Sequence, residues 1–379
     1  MKKIAILMSA AVTFSALALS LSSCGEKYDK LQNDPVGNYN YADENGKSEF
    51  DGVTLNVFNW GEYISDGSEG SLDVNAAFEN LTGIKVNYTN YDSNETMYAK
   101  LAPGAVSYDV IIPSDYMIAR MINEDMLAEL DFSMIDNYKY IDEQYHGAYF
   151  DPDDKYSVPY NVGMVGLIYN TTMVEGTPDS WDIMWDEKYA DQILTFNNPR
   201  DSFAIAQFLL GQDINTSDES DWRAAADKLK EQNSVLQGRV MDEVFNKMQG
   251  GNAAIAPYYA GDFLTMHDVN EDLAFVYPKE GTNIFIDSIC VPENSQNKRA
   301  AMLYINFLLE PEVALANAEY ICYASPNTAV VSNPEYSLKD SEILYPAEEN
   351  KPKTEYFYDM DDATRKLYND LWEEVVNDK

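Results

Sequence analysis

The chain has 379 residues, 45% hydrophobic and 13% aromatic, and its 64 acids against 26 bases leave a formal charge of −38. No basic stripe exists to neutralise phosphates, which disfavours a nucleic-acid partner, and the negative field favours attraction of cations. Two histidines outside any recognisable metal spacing make metal ligation poor, and no cofactor is expected.

The first residues are a leader. Lys2 and Lys3 precede an apolar run from Ile4 to Leu21, followed by Ser22-Ser23-Cys24. A basic start, an apolar middle and small residues before the cut describe a secretory signal over residues 1–23. Its end resembles a bacterial lipobox, which implies that Cys24 carries lipid and that the chain is exported to the periplasmic space or the outer face of the cell membrane. Losing Lys2 and Lys3 takes the charge to −40. Residues 24–50 are polar and poor in aliphatics, a tether with no core of its own. The roughly 330 residues that remain suit two lobes better than one ordinary domain.

Val53 to Trp60 alternates as a strand and runs into Trp60-Gly61-Glu62-Tyr63, an aromatic-acid cluster at a strand end. In open α/β sheets ligands bind beyond the carboxyl ends of strands. Rings and a carboxylate suit a cation with apolar parts. Val74, Ala77, Phe78 and Leu81 have helical spacing, with Gly83 as the stop; Ile84 to Tyr88 reads as a strand, and a short helix follows from Tyr91. Tyr108 to Ile112 reads as a buried strand ending in Pro113-Ser114-Asp115-Tyr116, then a helix. This alternation indicates βαβ units and a parallel sheet.

Tyr156 to Asn170 is long, extended and punctuated by glycine, and is read as the crossing between lobes. Ser180 is placed as an N-cap for Trp181 to Trp185, and Ile193 to Phe196 is a strand. Asn198 as N-cap, Pro199 at the first position and Asp201 in the first turn predict a helix start. Further helices are expected over Asp221–Lys230 and Met241–Met248, and a strand over Ala253–Ala256 leads to Pro257-Tyr258-Tyr259-Ala260-Gly261-Asp262. Strands are predicted from Leu273 and from Ile284, the latter carrying Asp287, an acid that costs several kcal/mol inside a strand unless it has a partner. Helices complete the chain at Lys298–Leu309, Pro311–Ala318 and Asp361–Val376. Spacing alone does not show whether Cys290 and Cys322 meet.

Several stretches together resemble one family. F-N-W-G-E-Y (58–63), S-N-E-T-M-Y-A-K-L (93–101), V-I-I-P-S-D-Y (110–116), Y-S-V-P-Y (156–160), I-D-S-I-C-V-P (286–292) and C-Y-A-S-P-N (322–327) are similar, in the family's order, to the solute-binding proteins of ABC importers for spermidine and putrescine. The resemblance implies a two-lobed α/β fold of the type II periplasmic-binding-protein class, with the ligand cleft between lobes. It implies one lobe of 51–160 with 287–331 and another of 161–286 with 332–379. The function implied is capture of a polyamine and its delivery to permease subunits by a monomeric, lipid-anchored binder that is not an enzyme.

Carried over position by position, the resemblance implies ligand contacts from Trp60, Glu62, Tyr63, Ser114, Tyr116, Asn198, Asp201, Tyr258, Phe285, Asp287 and Tyr323. Asn198 stands where many spermidine binders have Asp, which implies relatively stronger putrescine binding than in those relatives. Phe357 falls near a polar contact of the family and cannot hydrogen-bond. Charged acceptors contribute about 1.5–3 kcal/mol per ammonium and ring faces about 0.5–2 kcal/mol, so two acids and a few rings reach the roughly 8 kcal/mol of micromolar binding. Three other readings use the same residues. Tyr258-Tyr259 is a phenolate pair suited to ferric iron, acids with aromatics also line glycosidase clefts, and Arg200 could hold an amino acid's carboxylate in a sugar- or amino-acid-binding relative.

Overall fold

The computed structural model describes residues 48–102, 104 and 106–378. The leader, Cys24 and most of the tether lie outside the described residues. Among the described residues ten strands form one sheet: β1 (Thr54–Trp60), β2 (Lys85–Tyr91), β3 (Val110–Ile111), β4 (Ser157–Asn170), β5 (Ile193–Phe196), β6 (Leu236–Val240), β7 (Ile255–Tyr259), β8 (Leu273–Val276), β9 (Thr282–Cys290) and β10 (Thr354–Glu355). Their order is β2-β1-β3-β9-β4-β7-β5-β6, with β10 on β9 and β8 on β4.

The expected parallel pairing holds at both ends of the path, where β1 pairs with β2 and β3, and β5 with β6 and β7. The middle is antiparallel: β9 pairs with β3 and β4, and β4 with β7 and β8. Parallel strands need long crossovers, whereas chain that returns directly across the middle can only pair antiparallel. β4 is the crossing element. Its first part, Ser157–Met164, lies on β9, and Val165–Asn170 lies between β7 and β8. Nearly every one of its residues is buried, including the polar Ser157, Asn161 and Asn170.

Helices fill the crossovers: α1 (Val74–Thr82), α2 (Asn94–Leu101), α3 (Asp115–Asn123), α4 (Pro199–Leu210), α5 (Glu219–Gln232), α6 (Glu243–Gln249), α7 (Ala260–Val269), α8 (Lys298–Leu308), α9 (Pro311–Ile321), α10 (Thr328–Val331) and α11 (Asp362–Asn377). The predicted start of α4 forms as read. Asn198 Oδ1 accepts from the Arg200 amide at 2.9 Å, Pro199 occupies the first turn, and Gly211 ends the helix in left-handed backbone. Trp181–Trp185 is a 3-10 turn capped by Ser180. α7, α10, β6 and β10 have no counterpart in the sequence reading.

Separate cores form on the two sides of the crossing strands. Leu55, Val57, Ile289, Leu303 and Phe307 belong to one, and Val165, Leu167, Ile193, Phe196 and Ile255 to the other. The C-terminal stretch divides between them. Leu338, Leu344 and Tyr345 pack beside Phe58 and Met117 of the first half, whereas Tyr368, Leu371 and Val375 of α11 pack on Phe203 and Trp222 of the second. Cys290 and Cys322 are both free. Among the described residues no helix is long and apolar enough to cross a membrane.

Candidate functional site

The carboxyl ends of β1, β3, β5 and β7 face one another across the crossing strands and leave a cleft of about 710 Å3. Its walls carry Trp60, Tyr63, Ser114 and Tyr116 from the first half, and Asn198, Asp201 and Tyr258 from the second. Phe285 and Asp287 reach it from β9, and Tyr323 from the turn after α9. Ten of the eleven positions expected from the sequence therefore share one cleft. Glu62 does not lie on its wall; it is exposed beside the mouth, with φ of 51°.

Each ring is held by a local reason. Asn59, buried at the end of β1, accepts the Trp60 amide at 2.9 Å and gives its own amide to the Tyr63 carbonyl at 3.3 Å, which shapes the turn that presents both rings. The Trp60 indole N–H donates to the Ile112 carbonyl at 2.9 Å. Gly163 lies opposite Phe285 on the neighbouring strand, and a Cβ there would meet the Phe285 ring at 2.2 Å, so the missing side chain lets that ring lie across β4. Gly261 does the same for Tyr323. The fully buried Asp115 accepts from the Ile286 amide at 3.2 Å. That bond ties the backbone of β9 beside α3 at the residue preceding Asp287.

Five aspartates line the cleft; Asp92 is exposed, and each of the other four meets a tyrosine hydroxyl. Tyr63 donates to Asp287 at 2.6 Å, Tyr259 to Asp201 at 2.8 Å, Tyr323 to Asp262 at 3.1 Å, and Tyr258 to Asp242 at a long 3.5 Å. Asp201 also accepts amide hydrogens from Asn198 at 2.7 Å and Asn283 at 3.2 Å. Asp287 Oδ1 is buried without any partner. Burial pushes the carboxyls of Asp287, Asp201 and Asp262 up to about 6, 7 and 8 respectively, against hydrogen bonds that lower them, from the Ser114 and Tyr63 side chains at Asp287, from Tyr259 at Asp201 and from Tyr323 at Asp262. Asp242 is raised as well, first by lost hydration and then by Asp92. An ammonium would reverse these shifts, because a nearby opposite charge favours the ionised form.

The sequence reading selected two of these acids and missed Asp92, Asp242 and Asp262, along with Tyr91, Asn94 and Asn283. A signal for Asp262 existed: Tyr258-Tyr259-Ala260-Gly261-Asp262 ends β7 with the same mixture of aromatic, glycine and acid as Trp60-Gly61-Glu62-Tyr63. Phe357 also lines the cleft. The Tyr258 and Tyr259 hydroxyls serve different carboxyls, Asp242 and Asp201. Arg200 also lines the cleft, but its guanidinium is engaged. Its guanidinium donates to Asn215 Oδ1 and the Tyr358 carbonyl, both at 3.1 Å, and lies 4.5 Å from the Phe357 ring centre.

Rings connect the acids. Tyr259 stands 5.5 Å from Phe285, Phe285 6.4 Å from Tyr323, and Tyr323 5.2 Å from Tyr63, centre to centre. Such a trough can hold a flexible chain of methylenes against apolar faces while carboxylates take its charged ends.

Comparison with known proteins agrees with this geometry. The family model for bacterial extracellular solute-binding proteins matches residues 74–344. The chain is 33% identical over 329 residues to the spermidine/putrescine-binding periplasmic protein of Salmonella typhimurium, covering 86% of this chain and 92% of that one. A solved chain from Listeria monocytogenes, assigned to spermidine/putrescine ABC transport, superposes with a TM-score of 0.81 at 34% identity, over 86% of this chain and 99% of that one. A lipoprotein of Treponema pallidum superposes at 0.74 with 25% identity, over 85% and 99%.

Proposed function

The chain belongs to the bacterial extracellular solute-binding proteins, and from that premise we propose that it captures a polyamine, putrescine or spermidine, outside the cytoplasm and hands it to an ABC permease. One observation carries the reading. Five carboxyls and at least four rings line a single cleft in which Asp287 keeps one oxygen buried without a hydrogen-bond donor. A buried carboxylate oxygen without a donor costs about 1–3 kcal/mol or more, and an ammonium is the donor that also brings the opposite charge.

In this reading Trp60, Tyr63, Phe285 and Tyr323 enclose the methylenes. Asp201 and Asp287 each take an ammonium, Ser114, Tyr116, Asn198 and Tyr258 complete the wall, and Glu62 contributes charge at the mouth. The lobes are 51–160 with 287–331 and 161–286 with 332–379, the stretch 338–345 leaning on the first. Closure of the lobes around the ligand precedes docking on the permease. The leader and Cys24 suit an exported, lipid-anchored monomer, and the Treponema relative is itself named a lipoprotein. An amino-acid ligand is disfavoured by Arg200, whose guanidinium is already engaged with Asn215 and Tyr358.

Thermal-shift screening against putrescine, cadaverine, spermidine and spermine tests the proposal. At least one amine is expected to raise the melting temperature in a concentration-dependent way. No shift with any of the four, or a larger shift with a neutral sugar, overturns it.

A further inference from the structure

Tyr116 is shared by the two halves of the molecule. It stands in the first turn of α3, in the first half. Its hydroxyl donates to Glu95 Oε1 at 3.0 Å and accepts from the Asn94 amide at 3.2 Å. Its ring meets Arg200, which comes from α4 of the second half. The guanidinium carbon lies 5.5 Å from the Tyr116 ring centre and 4.5 Å from that of Phe357. The two rings stand edge to face, 5.9 Å apart. One tyrosine thus carries a cation from one half at its ring and an acid from the other at its hydroxyl.

Both charged groups keep an atom free. Arg200 is 3% exposed, and its Nε is buried without an acceptor. Glu95 Oε2 is buried without a donor. The Tyr368 hydroxyl, on α11, is buried without a partner as well, and Glu95 and Arg200 act on it in opposite directions. A donor, an acceptor and a hydroxyl that can be either are therefore grouped where the halves meet. The bonds that Arg200 does make go to the Asn215 side chain and the Tyr358 carbonyl, neither of which carries charge. Asp201 feels the same guanidinium, but its oxygens accept from Tyr259, Asn198 and Asn283. Burial lowers the Arg200 guanidinium, and the negative charge of Glu95 works against that.

We infer that Glu95 is a positioning residue for closure: as the counter-charge of the buried Arg200 it ties α2 of the first half to α4 of the second through Tyr116, and so holds the halves together around a bound ligand. The inference rests on the polyamine reading and deepens it. Removing one member of a buried pair leaves the other charge uncompensated, whereas making both neutral can cost little. With the halves apart both groups are hydrated and neither penalty applies, so the effect falls on the closed, liganded form. A plain field effect has the opposite sign at Arg200, because deleting a positive charge beside Asp201 would tighten a cationic ligand.

Titration calorimetry and stopped-flow dissociation of the full chain, with putrescine and with spermidine, test it. Glu95→Gln and Arg200→Met are each expected to weaken both amines about tenfold, chiefly through faster dissociation. The loss is smaller than a fully enclosed pair would give because Glu95 is only partly buried. The double variant is expected to recover to within about threefold of the unmodified chain. Melting curves without ligand establish that each variant is folded, and Arg200→Gln replaces Arg200→Met in the same cycle should the latter not fold. Tighter binding after neutralising Arg200, unchanged dissociation in both single variants, or losses that multiply in the double variant overturn the inference and leave the polyamine reading standing. Failure of the unmodified chain to bind either amine overturns the polyamine reading itself.

Discussion

Tyr63 and Asp287 are separated by 224 residues of chain, and the Tyr63 hydroxyl donates to Asp287 Oδ2 at 2.6 Å. The bond satisfies half of a fully buried carboxyl and leaves the other oxygen free. The protein thus orients Asp287 without neutralising it, the arrangement expected of an acid that waits for a mobile cation.

Replacing Asp287 with Asn keeps the shape and removes the charge. A hydrogen bond to a charged group contributes about 1.5–3 kcal/mol, so affinity for the bound amine is expected to fall at least tenfold and up to about 150-fold. The free protein is expected to melt no lower than the unmodified one, because the uncompensated charge disappears. Calorimetry and a melting curve on the same sample check both parts. An unchanged affinity would remove Asp287 from the site.

Binding should depend on pH. The carboxyls of Asp287, Asp201 and Asp262 hold their protons up to about 6, 7 and 8, against 3.8 for a free aspartate. Groups raised in the folded state contribute stability that is fully present below about pH 4 and is lost as pH rises through about 6 to 8. A bound ammonium offsets that loss and draws protons off. Affinity for a polyamine is therefore expected to increase between about pH 5 and pH 8. Binding near neutrality should release protons, read from calorimetry in buffers of different ionisation enthalpy. A flat profile with no proton release would contradict the assignment.

Asn198→Asp can still cap α4 but sets two carboxylates within 3 Å of each other, where the Asn198 amide now donates to Asp201 at 2.7 Å. Like charges so close destabilise the free protein above neutral pH. The variant is expected to melt lower without ligand, to recover with amine, and to shift its preference toward spermidine relative to putrescine. Parallel titrations with both amines measure the shift. An unaltered preference would argue that no ammonium approaches this helix start.

Gly261→Ala drives a methyl to within 2.2 Å of the Tyr323 ring and 2.8 Å of the Cys322 carbonyl. Both neighbours are packed, so the substitution is expected to cost about 1–3 kcal/mol of stability and to displace Tyr323 from Asp262. Denaturant unfolding gives the first quantity. Weaker amine binding at a temperature where the variant stays folded gives the second.

Sequence rules were most readable where the determinant was local. Asn198, Pro199 and Asp201 start α4 because capping, fixed φ and first-turn charge all act within one turn of helix. The long, extended, glycine-punctuated stretch from Tyr156 to Asn170 marked the crossing strand, which forms over Ser157–Asn170 and is buried along nearly its whole length. Asp287 stood out because an acid in an apolar strand demands a partner, although the partner, Tyr63, could not be named from the strand itself.

By itself the chain determined two alternating α/β halves, a crossing between them and rings and acids at the strand ends, since periodicity and end chemistry are written within short stretches. Tertiary structure alone decided the antiparallel middle of the sheet and the pairing of four cleft aspartates with tyrosines. It also decided the meeting of Arg200 with Tyr116, two residues from opposite halves that no spacing connects. Those relations depend on how the halves close, and closure brings groups together by packing and charge balance over distances along the chain that no local pattern records.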